Sequence, residues 1–358
     1  MSTFRVAARN LALVTGALAA LFWMARPAVA DDTLQVITGA QPTAFYQVMD
    51  YVAQLGGFFK EEGLTVNINY AGNPTIAAQL IATGKGDISA ESLEPLVQGY
   101  DKGIRLQTFF LRSPENQYTL GVLANSPIKT LADFKGTTLG EYSPGSSAEP
   151  YVTGMLTGAG LRKSDFSFLP IGSGGSAIDA MNKGKVAGAA FPYLELLIYE
   201  VNADQHYRFF WNPILKDIGN TGYVATSATI QNKADLLKRF ARAIAKATIL
   251  IKVNPELAAR YYVQGAGLKV TDDNIAKEVK LLQLAQDVLP GADPLSKKIG
   301  NVPPLGMGIM TKFMYEQGLT TTLVPASAVM SDAFIDYAND FDHAAFVAQA
   351  KKMKAPAP

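Results

Sequence analysis

The sequence predicts an α/β protein in which helices cover mostly parallel sheets, arranged as two similar units. Three observations lead there. Short β-branched runs alternate with amphipathic segments that end on glycine, this alternation occurs twice, and the last third of the chain turns helical.

The first unit opens with Leu34–Gly39 (LQVITG), an apolar, β-branched run that stops at a turn residue and reads as a buried strand. Phe45, Met49, Val52 and the Gly56-Gly57 pair fit a helix with one buried face and a glycine stop. Lys60–Gly63 turns the chain into Leu64–Tyr70, where Leu64, Val66 and Ile68 alternate with polar residues. After the turn at Gly72-Asn73-Pro74, a helix runs from Thr75 to Thr83, and a strand begins at Asp87. The second unit repeats the plan: strand Thr137–Glu141, loop Tyr142–Ser147, helix Ala148–Thr157, strand Phe166–Pro170, helix Ser176–Asn182 and strand Val186–Phe191. In both units a helix finishes on a glycine (Gly84, Gly184) and turns at once into a strand, although the two share little sequence.

Beyond Asn232, the residues Leu236, Leu237, Phe240, Ala241, Ile244, Ala247 and Ile251 recur at helical spacing up to Asn254-Pro255. Helices are expected over Glu256–Gln264, over Asp272–Gln286 and twice more after Pro304. Residues 346–358, basic and rich in Pro and Ala at their end, read as a flexible tail.

Composition narrows the chemistry. The chain has 358 residues, 48% hydrophobic and 18% charged, a globular balance with material for about two domains. It has no Cys, which removes disulfides, cysteine nucleophiles, iron–sulfur clusters and thiolate zinc sites. The 32 Lys+Arg nearly balance 31 Asp+Glu, so no basic stripe points to nucleic acid. The first thirty residues differ from the rest. Arg5 and Arg9 precede a 14-residue, largely apolar run, Leu11–Met24, and Ala28-Val29-Ala30 follows as a small-x-small tripeptide. This layout is that of a secretory signal peptide cleaved after Ala30, and the run is short of the roughly 20 residues that span a bilayer. The expected product is an exported, mildly acidic, periplasmic chain.

Several segments then resemble one family. Phe58–Leu64 (FFKEEGL), Ala77–Asp87 (AAQLIATGKGD), Ser126–Gly136 (SPIKTLADFKG), Ser143–Ser147 (SPGSS) and Gly158–Leu161 (GAGL) occur in the order found in periplasmic solute-binding proteins of nitrate/sulfonate/taurine-type ABC importers. The resemblance covers roughly residues 33 to 260. One departure is Ala187, where the family's second lobe usually places Asp. The resemblance implies a two-lobed, type 2 periplasmic-binding-protein clamshell with two hinge crossings. Lobe I would be residues 31–123 plus 225–345, and lobe II residues 124–224, with crossings near Leu123–Asn125 and Tyr223–Ala225. It also implies a small-molecule ligand, the membrane subunits of an ABC importer as partners, and a monomer. No cofactor and no metal are expected.

Parallel α/β sheets bind ligands beyond the carboxyl ends of their strands, which selects the loops that follow each strand. In lobe I these supply Gln41, Phe45, Tyr46, Asn73, Ser89, Glu91 and Arg112; in lobe II, Tyr142, Ser143, Gly145, Ser146, Ser147, Ser173, Phe191 and Tyr193. The Ser143–Ser147 loop precedes a helix, whose free N–H groups suit a carboxylate, sulfonate or phosphate, though Ser and Gly also favour an ordinary cap there. Arg112 could grip such an anion bidentately. The aromatic residues could stack on a planar ligand or serve as core, and Glu91 could instead pair with a ligand amine. Gly172–Ser176 lacks both nucleotide-loop patterns. No catalytic set emerges, since His206 and His343 have no metal-ligand spacing and Glu61-Glu62 lies on a turn.

The function expected is therefore extracytoplasmic capture of a small organic solute, anionic or aromatic, for delivery to an importer. Two alternatives are an enzyme of the same fold acting on a pyrimidine-like precursor, a class the resemblance includes, and a sensory ligand-binding module. The enzyme would need Cys, which this chain lacks, together with active-site His, and the chain's two histidines, His206 and His343, form no such set.

Overall fold

Ten strands among the described residues form two five-stranded sheets. The structure is a computed structural model and describes residues 32–39, 45–71, 74–113, 115–212, 218–287 and 298–355. The expected signal peptide, together with Gln41 and Asn73, lies outside them. The strands are β1 (Asp32–Thr38), β2 (Leu64–Tyr70), β3 (Ile88–Ser92), β4 (Leu106–Ser113), β5 (Tyr118–Leu123), β6 (Thr137–Glu141), β7 (Phe166–Pro170), β8 (Gly188–Pro192), β9 (Tyr207–Phe210) and β10 (Thr221–Thr226).

The first sheet has the order β2-β1-β3-β10-β4 and the second β7-β6-β8-β5-β9. Counted within its own half of the chain, each sheet is second, first, third, a guest strand, then fourth. The guest comes from the crossing: β5 is the first strand after the chain enters the second sheet, and β10 the first after it returns. Pairs β1–β3, β6–β7 and β6–β8 are parallel, whereas β10 is antiparallel to β3 and β4, and β5 to β8 and β9. The sheets are therefore mixed, and the α/β two-lobed class stands.

The chain changes sheets at 114–117 and at 211–220, not at the expected Leu123–Asn125 and Tyr223–Ala225. The boundary at 123/124 falls one strand late, after β5, and the boundary at 224/225 falls inside β10. The physical reason is that β5 and β10 bond to strands remote in sequence, and local alternation says nothing about the partner.

The expected long helix is Ala234–Val253, a 20-residue element that buries Leu237, Phe240, Ala241, Ile244, Ala247 and Ile251. It carries the core of the first lobe. Phe240 stacks on Phe59 with centroids 5.3 Å apart and meets the Tyr223 ring edge-on at 5.0 Å. Helices Pro255–Gly265 and Asp272–Leu284 follow, close to expectation. The supposed flexible tail begins inside helix His343–Ala350. Phe346 is 7% exposed, edge-on to Phe58 at 5.6 Å, and Asn254 Nδ2 donates to the carbonyls of Ala350 (3.0 Å) and Met353 (3.1 Å). Phe346 and Ala350 share a buried face that the flanking lysines disguise in the sequence.

One glycine is required where the C-terminal segment meets β4. Gly300 accepts a hydrogen bond from Leu111 N at 2.8 Å with φ +79, and a Cβ there would lie 2.3 Å from the Phe110 ring. Gly300→Ala is expected to destabilise the fold by about 2–5 kcal/mol, through left-handed backbone strain plus overpacking. Urea unfolding would measure it, and a loss under about 0.5 kcal/mol, the ordinary surface range, would contradict it.

Candidate functional site

The carboxyl ends of β3, β4, β6, β8 and β9 and the amino ends of β5 and β10 lie at the sheet edges where the two crossings run, and the lobes meet there. Tyr193 N donates to Gln117 O at 2.7 Å, and Leu93 N to Asn220 O at 3.0 Å. Tyr46 of the first lobe has its ionisation suppressed first by burial and then by Glu195, Tyr118 and Tyr142 of the second.

On the first lobe the floor is an ion cluster. Arg112, at the end of β4, is 6% exposed, with Nη2 3.1 Å from Asp50 Oδ2 and also donating to the Tyr46 carbonyl. Tyr223 Oη donates to the other Asp50 oxygen at 2.6 Å, and the guanidinium lies 5.1 Å from the Tyr223 ring centroid. Burial works against the Arg112 charge, but Tyr223, Asp50 and Glu91 outweigh it and hold the guanidinium above its ordinary range. Burial also raises Asp50, against Arg112 and Tyr223, which favour its charge. The cation expected to meet a ligand anion is thus matched by a carboxylate of its own lobe. Its Nε is buried without a hydrogen-bond partner.

Glu91 is 3% exposed and accepts a 2.5 Å hydrogen bond from Ser89, itself fully buried. Burial pushes Glu91 up to about 8, against the opposing pull of Ser89, Arg112 and the Gly39 N–H. Phe45 is core, 3% exposed and edge-on to Tyr262 at 5.8 Å, while Tyr46 is half-buried.

On the second lobe, Phe191 at the end of β8 is fully buried and packs edge-on to Tyr142 and Tyr199, each at 6.3 Å. It is core, not lining. Tyr142 itself is 51% exposed. Tyr193 is half-buried, edge-on to Phe209 at 4.9 Å and to Trp211 at 5.1 Å, and Trp211 is 42% exposed. These rings form an aromatic rim.

The Ser143–Ser147 loop departs from the expected anion cradle. Ser143 O already accepts from Ser146 N (3.0 Å), Gly145 takes φ +73, and Ser147 forms no cap to helix Ala148–Gly158 but bonds Tyr118. Glu149 sits in the first turn of that helix. Glu141, just before the loop, is 5% exposed, and burial followed by the Glu149 charge pushes its carboxyl up. Two carboxyls beside the loop oppose an anion there. Ser143 and Ser173 are exposed.

Glu195 was not anticipated. It lies two residues after Tyr193 on helix Tyr193–Ala203 and accepts from Tyr199 Oη at 2.7 Å; Tyr199 Oη in turn accepts from Gly174 N at 2.7 Å. Gly174 has φ 60 and ψ −136, a conformation reserved for glycine, so this chain of bonds pins the Gly172–Ser176 loop to the helix. Burial raises the Glu195 carboxyl, against hydrogen bonds from Tyr199 and Gly174. Its signal was an acid with a tyrosine four residues on, a pair that shares a helix face. Asp50 was legible in the same way, as an acid among Val48, Met49, Val52 and Ala53.

Among the described residues no three His, Cys, Asp or Glu side chains gather as metal ligands, and His206 sits 3.6 Å from Asp204 on the exposed surface. No helix of the described residues is long and apolar enough to cross a membrane.

Two outcomes follow from the buried charges. Asp50→Asn strands the Arg112 charge and is expected to cost about 3–5 kcal/mol in denaturant unfolding, while a cost below about 1 kcal/mol would mean the pair is solvated. Glu91 has a folded pKa (about 8) above its ordinary 4.5, so its contribution is complete below the lower value and is lost as pH rises toward the upper. Stability should fall across that window, and Glu91→Gln should flatten the profile; an equally steep profile in the variant would exclude Glu91 as its source.

The comparisons with known proteins agree with this fold. A formylaminopyrimidine-binding protein of Halalkalibacterium halodurans is 28% identical over 237 residues, 63% of this chain and 68% of the relative. The periplasmic aliphatic sulphonate binding protein SsuA of Escherichia coli shares the fold, with TM-score 0.64 and 18% identity over 83% of this chain and 91% of that one. The desulfurization enzyme DSZB shares it as well, with TM-score 0.57 and 12% identity over 86% and 99%. The sequence model of the NMT1/THI5 like family matches residues 44–258, the stretch that holds every strand of the two sheets except β1, both crossings and helix Ala234–Val253. With more than half of its length matched, this two-lobed chain belongs to the NMT1/THI5-like family.

Proposed function

We propose that the protein is an extracytoplasmic solute-binding receptor that holds a planar, N–H-rich organic molecule between its lobes and presents it to an ABC importer. One observation carries the ligand class. The buried cation of the floor, Arg112, is neutralised by Asp50 within its own lobe, whereas Glu195 stands beside the aromatic rim and is held by Tyr199 and Gly174, neither of them charged. Among the described residues, such a cleft offers acceptors to a ligand and little positive charge. Tyr142, Tyr193 and Trp211 supply faces for a ring, and the Glu195 carboxyl would accept from an amino or amidine group.

This reading sets aside the anionic ligand expected from the sequence. Arg112 is engaged, and Glu141 and Glu149 flank the serine loop. The naming of a relative for formylaminopyrimidine supports it. Export by the N-terminal segment and delivery to membrane subunits belong to the same proposal. An enzyme on this frame would need a nucleophile or acid–base pair in the cleft. The candidates present are carboxyls and tyrosines whose ordinary ionisation is suppressed by burial.

A thermal-shift and Trp211-emission screen tests the proposal. Aminopyrimidines, including a formylaminopyrimidine, are expected to raise the melting temperature in a concentration-dependent way, with alkanesulfonates and nitrate inert. Glu195→Gln should weaken the best aminopyrimidine by about tenfold or more, as for loss of a hydrogen bond to a charged group. Stabilisation by sulfonates alone would overturn the ligand class, and turnover of a bound compound would overturn the receptor.

A further inference from the structure

Beside the crossings, the seam between the lobes contains another buried carboxyl. Glu94 opens helix Glu94–Asp101 on the first lobe and is 2% exposed. From the second lobe, Tyr151 of helix Ala148–Gly158, 1% exposed, donates to Glu94 Oε1 at 2.8 Å. This hydrogen bond joins the two lobes directly.

Its seat is rigid on the donor side. The Tyr151 ring stacks on Tyr118 with centroids 5.2 Å apart and on Phe313 at 5.0 Å, the latter nearly parallel at 4°. Phe313 belongs to helix Pro304–Glu316, which packs against helix Glu94–Asp101 of the first lobe. Gly154, in the same helix as Tyr151, allows that approach, since a Cβ there would stand 3.1 Å from the Phe313 ring. Tyr118 bonds Ser147, Asn220 and Ser92, so the stack is tied to the second crossing as well.

On the acceptor side the seat is incomplete. Glu94 Oε2 is buried with no hydrogen-bond partner. Tyr118 and Tyr151 are the titratable groups facing Glu94 from the second lobe. Glu149 and Lys163 of that lobe, with Gln98 and Gln317 of the first, line the same groove of about 330 Å³. The Tyr151 donor by itself favours the carboxylate, but burial with one oxygen lacking a partner leaves that carboxylate poorly solvated, and burial is the larger effect.

We propose that the Tyr151–Glu94 hydrogen bond is a proton-dependent latch between the lobes, closing with uptake of a proton at Glu94 and releasing as that carboxyl ionises. Burial, against the pull of Tyr151, its own backbone N–H and Ser92, pushes Glu94 up to about 7 in this arrangement. Opened to water the carboxyl returns toward its ordinary 4.5. Closure is therefore fully supported below the lower value. The closed-to-open ratio falls by up to about tenfold per pH unit between the two values and levels off above the upper one. Tyr151, held well above its ordinary range first by burial and then by Glu94, remains a donor throughout. The latch rests on the two-lobed architecture and not on the identity of the ligand.

The test uses the ligand-free protein. Because the chain contains no cysteine, Lys102→Cys on the first lobe and Lys185→Cys on the second, both exposed, can carry a spin-label pair. Pulsed electron–electron distance measurement from about pH 5.5 to about pH 8.5 should show the ratio of short- to long-distance populations falling by about tenfold or more. Glu94→Gln, which keeps an acceptor for Tyr151 but cannot ionise, should hold the short distance at every pH. Tyr151→Phe should lose it even at the acidic end. A wild-type distribution that does not move with pH overturns the latch, and so does a shift of equal size in Glu94→Gln. The wild-type titration alone decides the first point if either variant fails to fold.

Discussion

The buried Arg112–Asp50 pair is the constraint on which the first lobe depends. It joins three segments far apart in the chain: helix Val48–Leu55 through Asp50, β4 through Arg112, and the return strand β10 through Tyr223. Removing two charges from water is unfavourable unless each is met, and here Asp50 has both oxygens bonded while the guanidinium also reaches the Tyr46 carbonyl. The geometry leaves the floor of the cleft electrically closed. Among the described residues of that floor, the Arg112 charge is met by a carboxylate of its own lobe.

The second constraint is topological. Each sheet borrows its fourth-position strand from the half of the chain that has just crossed over, so β5 and β10 lock the crossings into both sheets. The two lobes are held beside one another by covalent segments at 114–117 and 211–220. Side-chain contacts then set the remaining relation between them: the Tyr118–Tyr151–Phe313 stack on one flank, and helix Tyr193–Ala203 against helix Asp272–Leu284 on the other. Two separate pads flanking a polar cleft suit a body that bends about its crossings and keeps its strands in register.

Particular residues show where reading the sequence succeeds and where it stops. The alternation of Leu64, Val66 and Ile68 and the helical repeat from Leu237 to Ile251 are local, and both elements appear where expected. Arg112 was identified as the cation that follows a lobe-one strand, yet its destination depends on Asp50, 62 residues earlier in the chain. Phe191, near the end of β8, and Tyr193, which opens the following helix, part company: one is fully buried and the other borders Trp211. Strand alternation would put residues two apart on one face, but the chain leaves the strand between them, and the sequence does not mark that exit. Glu195 and Glu94 passed unnoticed because an acid near the start of a helix is ordinarily a solvated complement to the helix dipole.

The sequence by itself determined the fold class, the succession of strands and helices, the family likeness and the absence of thiol chemistry, because periodicity, glycine stops and composition are properties of short segments. Tertiary structure alone decided where the chain crosses, that the supposed tail packs through Phe346, that Arg112 is spent on Asp50, and that Glu94 meets Tyr151 between the lobes. Each of these depends on burial and on partners tens to hundreds of residues away. The energy of a charge is set by what surrounds it in space, and its neighbours in sequence do not record that.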